Sequence, residues 1–276
     1  MTLTMHKKNK LSLLTFNTLG TPFFAPDISK RYRRASHLIN IADFDIVCLQ
    51  EIFTYYHLYI FKTILTSFPY VVYQKNPFGP RGGSVIFSKY KLIHPQFVSF
   101  PYPKDAYVPV YTKIAQQGVL SAEIENTSIR VITTHLSSDT THDLKPGNKL
   151  YELIKAQSEQ VAAVVNTSIL EKKSIILAGD FNIAKHSELY NSFLKSTNVA
   201  DVFEKDEIPT YYPDRVSYFY QSPPSRCDFI FVRSAHSNFK VLKTDIAFME
   251  KENLSGGKKS FLSDHIGLHC ILEVNE

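Results

Sequence analysis

Cysteine is scarce in this chain and badly placed for its usual structural roles. Cys48, Cys227 and Cys270 are the only three among 276 residues, and no Cys-x-x-Cys spacing links any of them. That excludes a zinc ribbon or dithiol redox motif, and an odd count gives no disulfide framework, which points to a reducing compartment. Cys48 and Cys270 lie in apolar runs and read as small buried hydrophobes. Long hydrophobic runs are also missing: no segment approaches the ~20 apolar residues needed to cross a bilayer. Lys7, Lys8 and Lys10 followed by Leu11, Leu13 and Leu14 imitate the start of a signal peptide, but the apolar part is short and runs into Thr15 and Asn17 without a small-residue cleavage site. A core strand is the better reading. There is no internal repeat, and no Gly/Ser/Pro-rich or low-complexity linker.

What is present is a 44% hydrophobic chain, long enough to bury one large core. The expectation is a soluble, cytoplasmic, monomeric protein with a single domain over residues 1–276, in which 1–10 form a disordered lead-in. The net charge of +5 suits an anionic partner such as a phosphate ester, without separating nucleic acid from phospholipid.

Leu11 to Phe16 and Asp45 to Leu49 read as strands, with a helix between them that Ser29 can cap, carrying Leu38, Ile39 and Ile41 on one side and Arg31, Arg33 and Arg34 elsewhere. Tyr55 to Leu65 reads as a second helix and Tyr70 to Tyr73 as a short strand. The turn-rich loop Asn76 to Gly83 delivers the chain into a strand at Ser84 to Phe87. Leu92 to Phe100, Val119 to Ile124 and Ile129 to Thr134 follow as strands, the last two joined by a hairpin turn at Glu125-Asn126-Thr127. Leu150 to Leu170 is the clearest amphipathic helix, and Ser174 to Leu177, Asp228 to Val232 and Ile266 to Val274 are further strands. Strands in both βαβ-like and hairpin-like succession favour an α/β (α+β) fold of two packed mixed sheets flanked by helices.

Polar residues punctuate the ends of these apolar strands: Asn17, Glu51, His135, Asp180 with Asn182, Asp228, and Asp264 with His265. Strand ends are where a rigid scaffold meets solvent, so distant positions can converge there. Each has an ordinary reading when taken singly. Glu51 can be an exposed carboxylate, Asn17 a turn former, His135 a satisfied polar group, and Gly179-Asp180-Phe181-Asn182 an Asx-turn. Ser263-Asp264-His265 can merely cap a loop, although a carboxylate beside an imidazole also suits acid/base or phosphate-stabilising chemistry.

Their order is more informative than any one of them. Thr15-Phe16-Asn17, Leu49-Gln50-Glu51, Thr134-His135-Leu136, Gly179-Asp180-Phe181-Asn182, Arg226-Cys227-Asp228-Phe229-Ile230 and Ser263-Asp264-His265 resemble, in order and spacing, the motif series of the endonuclease/exonuclease/phosphatase superfamily. The resemblance spans residues 11 to 274. It implies a four-layer α/β/β/α sandwich with the active site at one edge of two mixed sheets. It also implies a Mg²⁺-dependent phosphodiesterase, with Mn²⁺ as a substitute ion. Glu51 is then the principal metal ligand, and Asn17 either coordinates beside it or bonds to the phosphate. Asp180 and Asn182 orient the attacking water and the phosphate, His265 contacts the phosphoryl group or takes a proton, Asp228 orients His265, Asp264 supports the site, and His135 donates to a non-bridging oxygen.

Within the superfamily, Thr-His-Leu at 134–136 is similar to the neutral sphingomyelinase-like and tyrosyl-DNA phosphodiesterase-like branches. Asn17 to Pro22, the arginine-rich first helix and Gly82 to Lys89 look most like the sphingomyelinase side, whereas His135 to Ser138 and Phe261 to Leu268 also resemble the tyrosyl-DNA enzymes. The implied substrate is a phospholipid, with nucleic acid as the alternative and a catalytically silent binding module as a third reading. An aromatic segment from Tyr211 through Tyr218-Phe219-Tyr220 to Pro223-Pro224 can rest on a lipid interface, as a peripheral membrane contact, stack on bases, or pack on its own domain. Lys258-Lys259 reads as a solvated loop or a basic flap.

Overall fold

Leu11, Leu13 and Leu14 are all buried, so the first strand, β1 (Lys10–Asn17), is apolar on both faces and belongs inside a sheet that is covered on both sides. The computed structural model describes residues 9–22, 25–138, 144–216, 223–235 and 238–275. Most of the expected lead-in lies outside these residues, and Lys10, its last residue, pairs with Glu273 at the start of β1.

Among the described residues two six-stranded sheets form the centre. The first contains β1, β2 (Ile46–Gln50), β3 (Tyr70–Val72), β4 (Val85–Ser88), β11 (Asn238–Ala247) and β14 (Gly267–Asn275), in the order β11-β14-β1-β2-β4-β3. The second contains β5 (Leu92–Ser99), β6 (Gly118–Ile124), β7 (Ile129–His135), β8 (Ser174–Asp180), β9 (Ala200–Asp201) and β10 (Asp228–Arg233), in the order β5-β6-β7-β8-β10-β9. A two-stranded hairpin, β12 (Glu252–Asn253) with β13 (Lys259–Ser260), completes the strands.

One cluster of buried side chains, including Leu11, Leu13, Val131, Ile176 and Ile230, fills the space between the sheets. A second packs α1 (Ile28–Ile41) and α2 (Tyr55–Ile64) onto the outer face of the first sheet through Tyr32, Ile39, Leu58 and Phe61. A third packs α4 (Lys149–Leu170) and α5 (Glu188–Thr197) onto the second through Leu153, Ile154, Val161 and Phe193. The result is the expected four-layer α/β/β/α sandwich of mixed sheets.

Two parallel pairs position the site. β1 runs parallel to β2 with Asn17 opposite Gln50, and β7 runs parallel to β8 with His135 opposite Asp180. β10 enters antiparallel to β8, setting Asp228 opposite Asp180. Carboxyl ends of parallel strands and the amino end of an antiparallel neighbour share one edge, so the pairing itself gathers the polar termini.

Three local readings differ from expectation. Helix α1 is preceded by Asp27 in a left-handed conformation, while Ser29 lies inside the first turn and does not cap it. Arg31, placed on the polar side by periodicity, is fully buried. A short helix α3 (Val110–Ala115) sits where no element was expected.

Candidate active site

Glu51 follows β2 directly and adopts φ 68°, a left-handed conformation that a residue with a side chain occupies only at a cost. Close packing holds it there. A Cβ on Gly20 would lie 1.9 Å from the Glu51 carbonyl oxygen and 2.0 Å from the Tyr32 hydroxyl, so only glycine lets that loop pass. The Glu51 carboxylate is buried and bound entirely by neutral donors. Oε2 accepts from the Gly20 amide at 2.9 Å and the Thr21 hydroxyl at 2.9 Å, and Oε1 from Asn17 Nδ2 at 3.2 Å.

Asn17 ties the two sheets together. Its Nδ2 also donates to Asp180 Oδ2 at 2.8 Å, while its Oδ1 is taken by the Leu19 amide at 3.0 Å. The amide therefore turns a donor, not an oxygen, towards the carboxylate pair.

Asp180 ends β8. A Cβ on Gly179 would lie 2.1 Å from the Thr134 carbonyl oxygen, so glycine permits the close approach of β7. Phe181 points into the lower layer against Phe193, Phe229 and Phe231, with ring centroids 5.3 to 5.7 Å away, and so anchors the turn. The Asx-turn is real, since the Asn182 amide donates to Asp180 Oδ1 at 2.9 Å. Asn182 Nδ2 in turn donates to the Leu136 carbonyl at 2.8 Å. Both histidines face the other Asp180 oxygen: Nε2 of His135 lies 3.6 Å and Nε2 of His265 3.7 Å from Oδ2.

His265 Nδ1 lies 2.8 Å from Asp228 Oδ2. Asp228 is itself fixed, because Thr210 Oγ1 accepts from the backbone amides of Cys227 and Asp228 at 3.1 and 3.0 Å. Burial alone would favour neutral His265, but Asp228 and Asp180 flank it and together raise its pKa well above the ordinary value. The same burial, with the nearby Asp228 charge, raises Asp180, against the opposing influence of the two histidines. Asp264 is pushed up to about 6, first by burial and then by Glu51, against His265 and Arg31.

The six predicted motifs thus meet at one edge, with Glu51, Asn17, Asp180, His265 and Asp228 in a single chain of contacts. His135 joins through Asp180, and Asn182 through the turn. Asp264 makes no side-chain bond to these groups; its Oδ1 accepts from Ser263 at 3.2 Å.

The residues fit a divalent cation. Four buried carboxyl groups, Glu51, Asp180, Asp228 and Asp264, gather around one edge, while the buried Arg31 is spent on backbone carbonyls, so their joint ionisation out of water calls for a cation. Asp228 Oδ1 and His135 Nδ1 are buried with no hydrogen-bond partner in the protein. Asp180, Cys227, Asp228 and His265 also offer ligand atoms within 4.8 Å of one another. That cluster is poorly suited to a hard cation, because the Cys227 thiol is pushed up to about 12 by burial and His265 is already engaged by Asp228. The Glu51 carboxylate, a hard oxygen donor, matches magnesium better.

Arg31 escaped sequence reading. Its guanidinium donates to the carbonyls of Pro26, Thr18, Leu19 and Leu262 at 2.6 to 2.9 Å, pinning the loop after Asn17 to the loop before Asp264. An arginine at a helical position that periodicity assigns to solvent gives no warning of this. Thr210 carried no signal either, because it acts through bonds to the backbone amides of two residues distant in sequence. Lys258 is not a free flap, since its Nζ pairs with Asp27 at 2.6 Å. Tyr211 lies beside His265 with ring centroids 5.1 Å apart, whereas Tyr218, Phe219 and Tyr220 fall outside the described residues.

None of the described helices is long and apolar enough to cross a membrane. The chain is 24% identical over 238 residues to an inositol phosphosphingolipids phospholipase C of Schizosaccharomyces pombe, an alignment covering 81% of this chain and 51% of that protein. It thus spans about half the length of the curated relative. Three solved structures share the fold. One is a mutant of the Staphylococcus aureus beta toxin with bound magnesium ions, at TM-score 0.71 and 20% identity over 95% of this chain and 99% of that one. Another is a D. rerio TDP2 humanized by 14 mutations, at 0.69 and 20% over 96% and 99%. The third is sphingomyelinase C of Streptomyces griseocarneus, at 0.65 and 20% over 95% and 98%. A sequence model of the Endonuclease/Exonuclease/phosphatase family matches residues 14–265, and the chain belongs to that family.

Proposed function

We propose that this chain is a Mg²⁺-assisted phosphodiesterase, built as one catalytic domain, that hydrolyses the phosphodiester of a phospholipid. The observation that carries this reading is the chain of contacts Glu51–Asn17–Asp180–His265–Asp228, in which a buried carboxylate with neutral partners adjoins an acid/base network.

A phosphodiester repels nucleophiles because it is anionic, so the site must neutralise oxygens and aim a water in line with the leaving group. When bound, magnesium supplies the neutralising charge, and Glu51 holds it. The donor end of Asn17 bonds to a phosphoryl oxygen or keeps Asp180 in place. His265, flanked by two carboxylates that raise its pKa, is better suited to donate than to act as the base. Its Nε2–H and a nitrogen of His135 donate to non-bridging oxygens. Asp180 is the base: its raised pKa suits proton acceptance, and Asn182 fixes its orientation through the turn amide. As the water oxygen bonds to phosphorus its proton passes to Asp180, and the bond from phosphorus to the leaving oxygen breaks with the electron pair departing on that oxygen. Asp228 holds His265 in tautomer and charge. Asp264 supports the loop beside it, and all eight positions are occupied by competent residues, which argues against a silent binding module.

The phospholipid reading draws support from the phosphosphingolipid phospholipase C relative and from the sphingomyelinase neighbours. The TDP2 structures, one of them in complex with a single-strand DNA product, support nucleic acid as the second reading. Parallel assays with Mg²⁺ on sphingomyelin, a 5′-tyrosyl oligonucleotide and plain single-stranded DNA decide between them. Turnover of the lipid is expected, and turnover of the tyrosyl oligonucleotide alone overturns the lipid assignment.

A further inference from the structure

Exposed hydrophobic side chains are scattered over most of this surface, as at Ile41 and Leu170, but they gather on one rim of the candidate site. Helix α3 turns Val110 and Ile114, four residues apart and 71% and 69% exposed, to the same side, while Thr112 and Ala115 face inward. Tyr102 and Tyr107 are exposed just before it. Helix α2 buries His57, Leu58, Ile60 and Phe61, and leaves Tyr55, Tyr56 and Tyr59 outward. Between the two in sequence, Phe78 is 80% exposed.

Several bonds tie these pieces to one another and to the site. The Tyr55 amide donates to the Phe78 carbonyl at 3.1 Å, and the Tyr55 hydroxyl to the Asn76 carbonyl at 2.8 Å. Phe53, two residues after Glu51, meets the ring of Tyr111 in α3 edge-on at 5.8 Å. Thr112 of α3 shares a 3.0 Å hydroxyl bond with Ser137, two residues after His135. The apolar rim is therefore mounted on the segments that carry two of the proposed site residues.

Its charge is one-sided. Lys62, Lys75, Lys104 and Lys113 are exposed on these segments, and Asp105 is the acidic residue among them.

We propose that α2, the turn at Phe78 and α3 form a docking surface that seats the protein on an anionic phospholipid bilayer with the site facing the headgroups. Tyrosine pairs an apolar body with a polar tip and suits the headgroup boundary, lysines attract acidic lipids, and Val110 and Ile114 enter the acyl region. A single-stranded nucleic acid would draw on the tyrosines and lysines alone. Branched aliphatic side chains have no π face on which a base can stack, which is why the bilayer is the better occupant. The inference deepens the phospholipid reading of the same site and rests on it for its purpose.

The chain contains no tryptophan, so Ile114→Trp introduces a unique reporter. With vesicles of phosphatidylcholine and phosphatidylserine, its emission shifts to the blue and is quenched by brominated acyl chains. Val110→Ser/Ile114→Ser lowers partitioning of the full chain onto those vesicles by roughly tenfold or more, as loss of two inserted aliphatic side chains implies. That variant still hydrolyses a soluble chromogenic phosphodiester at the wild-type rate, whereas Glu51→Gln loses hydrolysis and keeps vesicle binding. The two readings thus fail separately. Unchanged vesicle binding by the serine variant overturns the surface. So does Ile114→Trp emission that ignores vesicles, or that responds to oligothymidylate instead.

Discussion

Asp228 grips His265 by a single oxygen: Oδ2 lies 2.8 Å from Nδ1, while the other carboxylate oxygen is buried without a partner. The imidazole is thereby locked in rotation, with Nε2 aimed at Asp180. A carboxylate placed behind a histidine in this way sets its tautomer and sustains its positive form.

Replacing that carboxylate by an amide should therefore disable His265 without moving it far. Asp228→Asn is expected to lower kcat/KM on a soluble phosphodiester by roughly 100-fold or more, and to make the remaining activity fall off at lower pH than in the wild type, because the imidazolium is no longer held. The pH–rate profile checks this; an unchanged alkaline limb would place the charge of His265 elsewhere.

Asp180 behaves as a strained acid. Its ionised form is disfavoured first by burial and then by Asp228, so an isosteric neutral side chain relieves repulsion. Asp180→Asn should cut turnover by about a thousandfold or more while leaving the melting temperature equal or higher. Thermal melts alongside initial rates test the pair of outcomes, and a variant that melts much earlier would show that Asp180 supports the fold instead.

Glu51 gives a readout that does not depend on turnover. If its carboxylate holds the cation, Mg²⁺ raises the melting temperature of the wild type with the logarithm of its concentration, and Glu51→Gln abolishes that rise. Chelation should stop hydrolysis, and re-addition of Mg²⁺ or Mn²⁺ should restore it. A magnesium-dependent rise that survives in Glu51→Gln would move the ion to another set of oxygens.

Acid stability has a separate origin on the second sheet. Glu123 is buried, which by itself would raise its pKa, but Lys173 and Arg130, each 2.6 Å away, and His94 bring it down to about 2 from 4.5. A folded-state value below the unfolded one means the contribution is complete above about pH 4.5 and drains away as pH falls towards 2. Denaturant melts of Glu123→Gln should show a flatter loss of stability between those pH values than the wild type.

Much of the fold was legible because the strands are apolar on both faces and end abruptly at polar residues. Thr15-Phe16-Asn17 and Leu177 through Asn182 each carry the whole signal, a buried strand followed by a side chain that needs a partner. The site residues were visible as polar strand ends, but each had an ordinary reading, and only the resemblance of their order to the superfamily's motif series singled them out. What escaped depends on tertiary context. Arg31 sits at a helical position that periodicity assigns to water, yet four carbonyls from two loops fold over it. Helix α3 is six residues long, too short for a periodic pattern, and it is held by Tyr111 on Phe53 and Thr112 on Ser137. The orientation of Asn17 was equally hidden, because only the Leu19 amide decides which end of the side chain faces the carboxylates.

The central claim is that Glu51, Asp180 and His265 act as one unit on one phosphodiester. Hydrolysis of bis-p-nitrophenyl phosphate with Mg²⁺ by Asp180→Asn, His265→Ala and the double variant tests it most directly. Groups that share a single transition state lose their effects together, so each single change should cost about a thousandfold or more and the double change little beyond either. Near wild-type rates in either single variant, or losses that multiply in the double, would contradict a shared site.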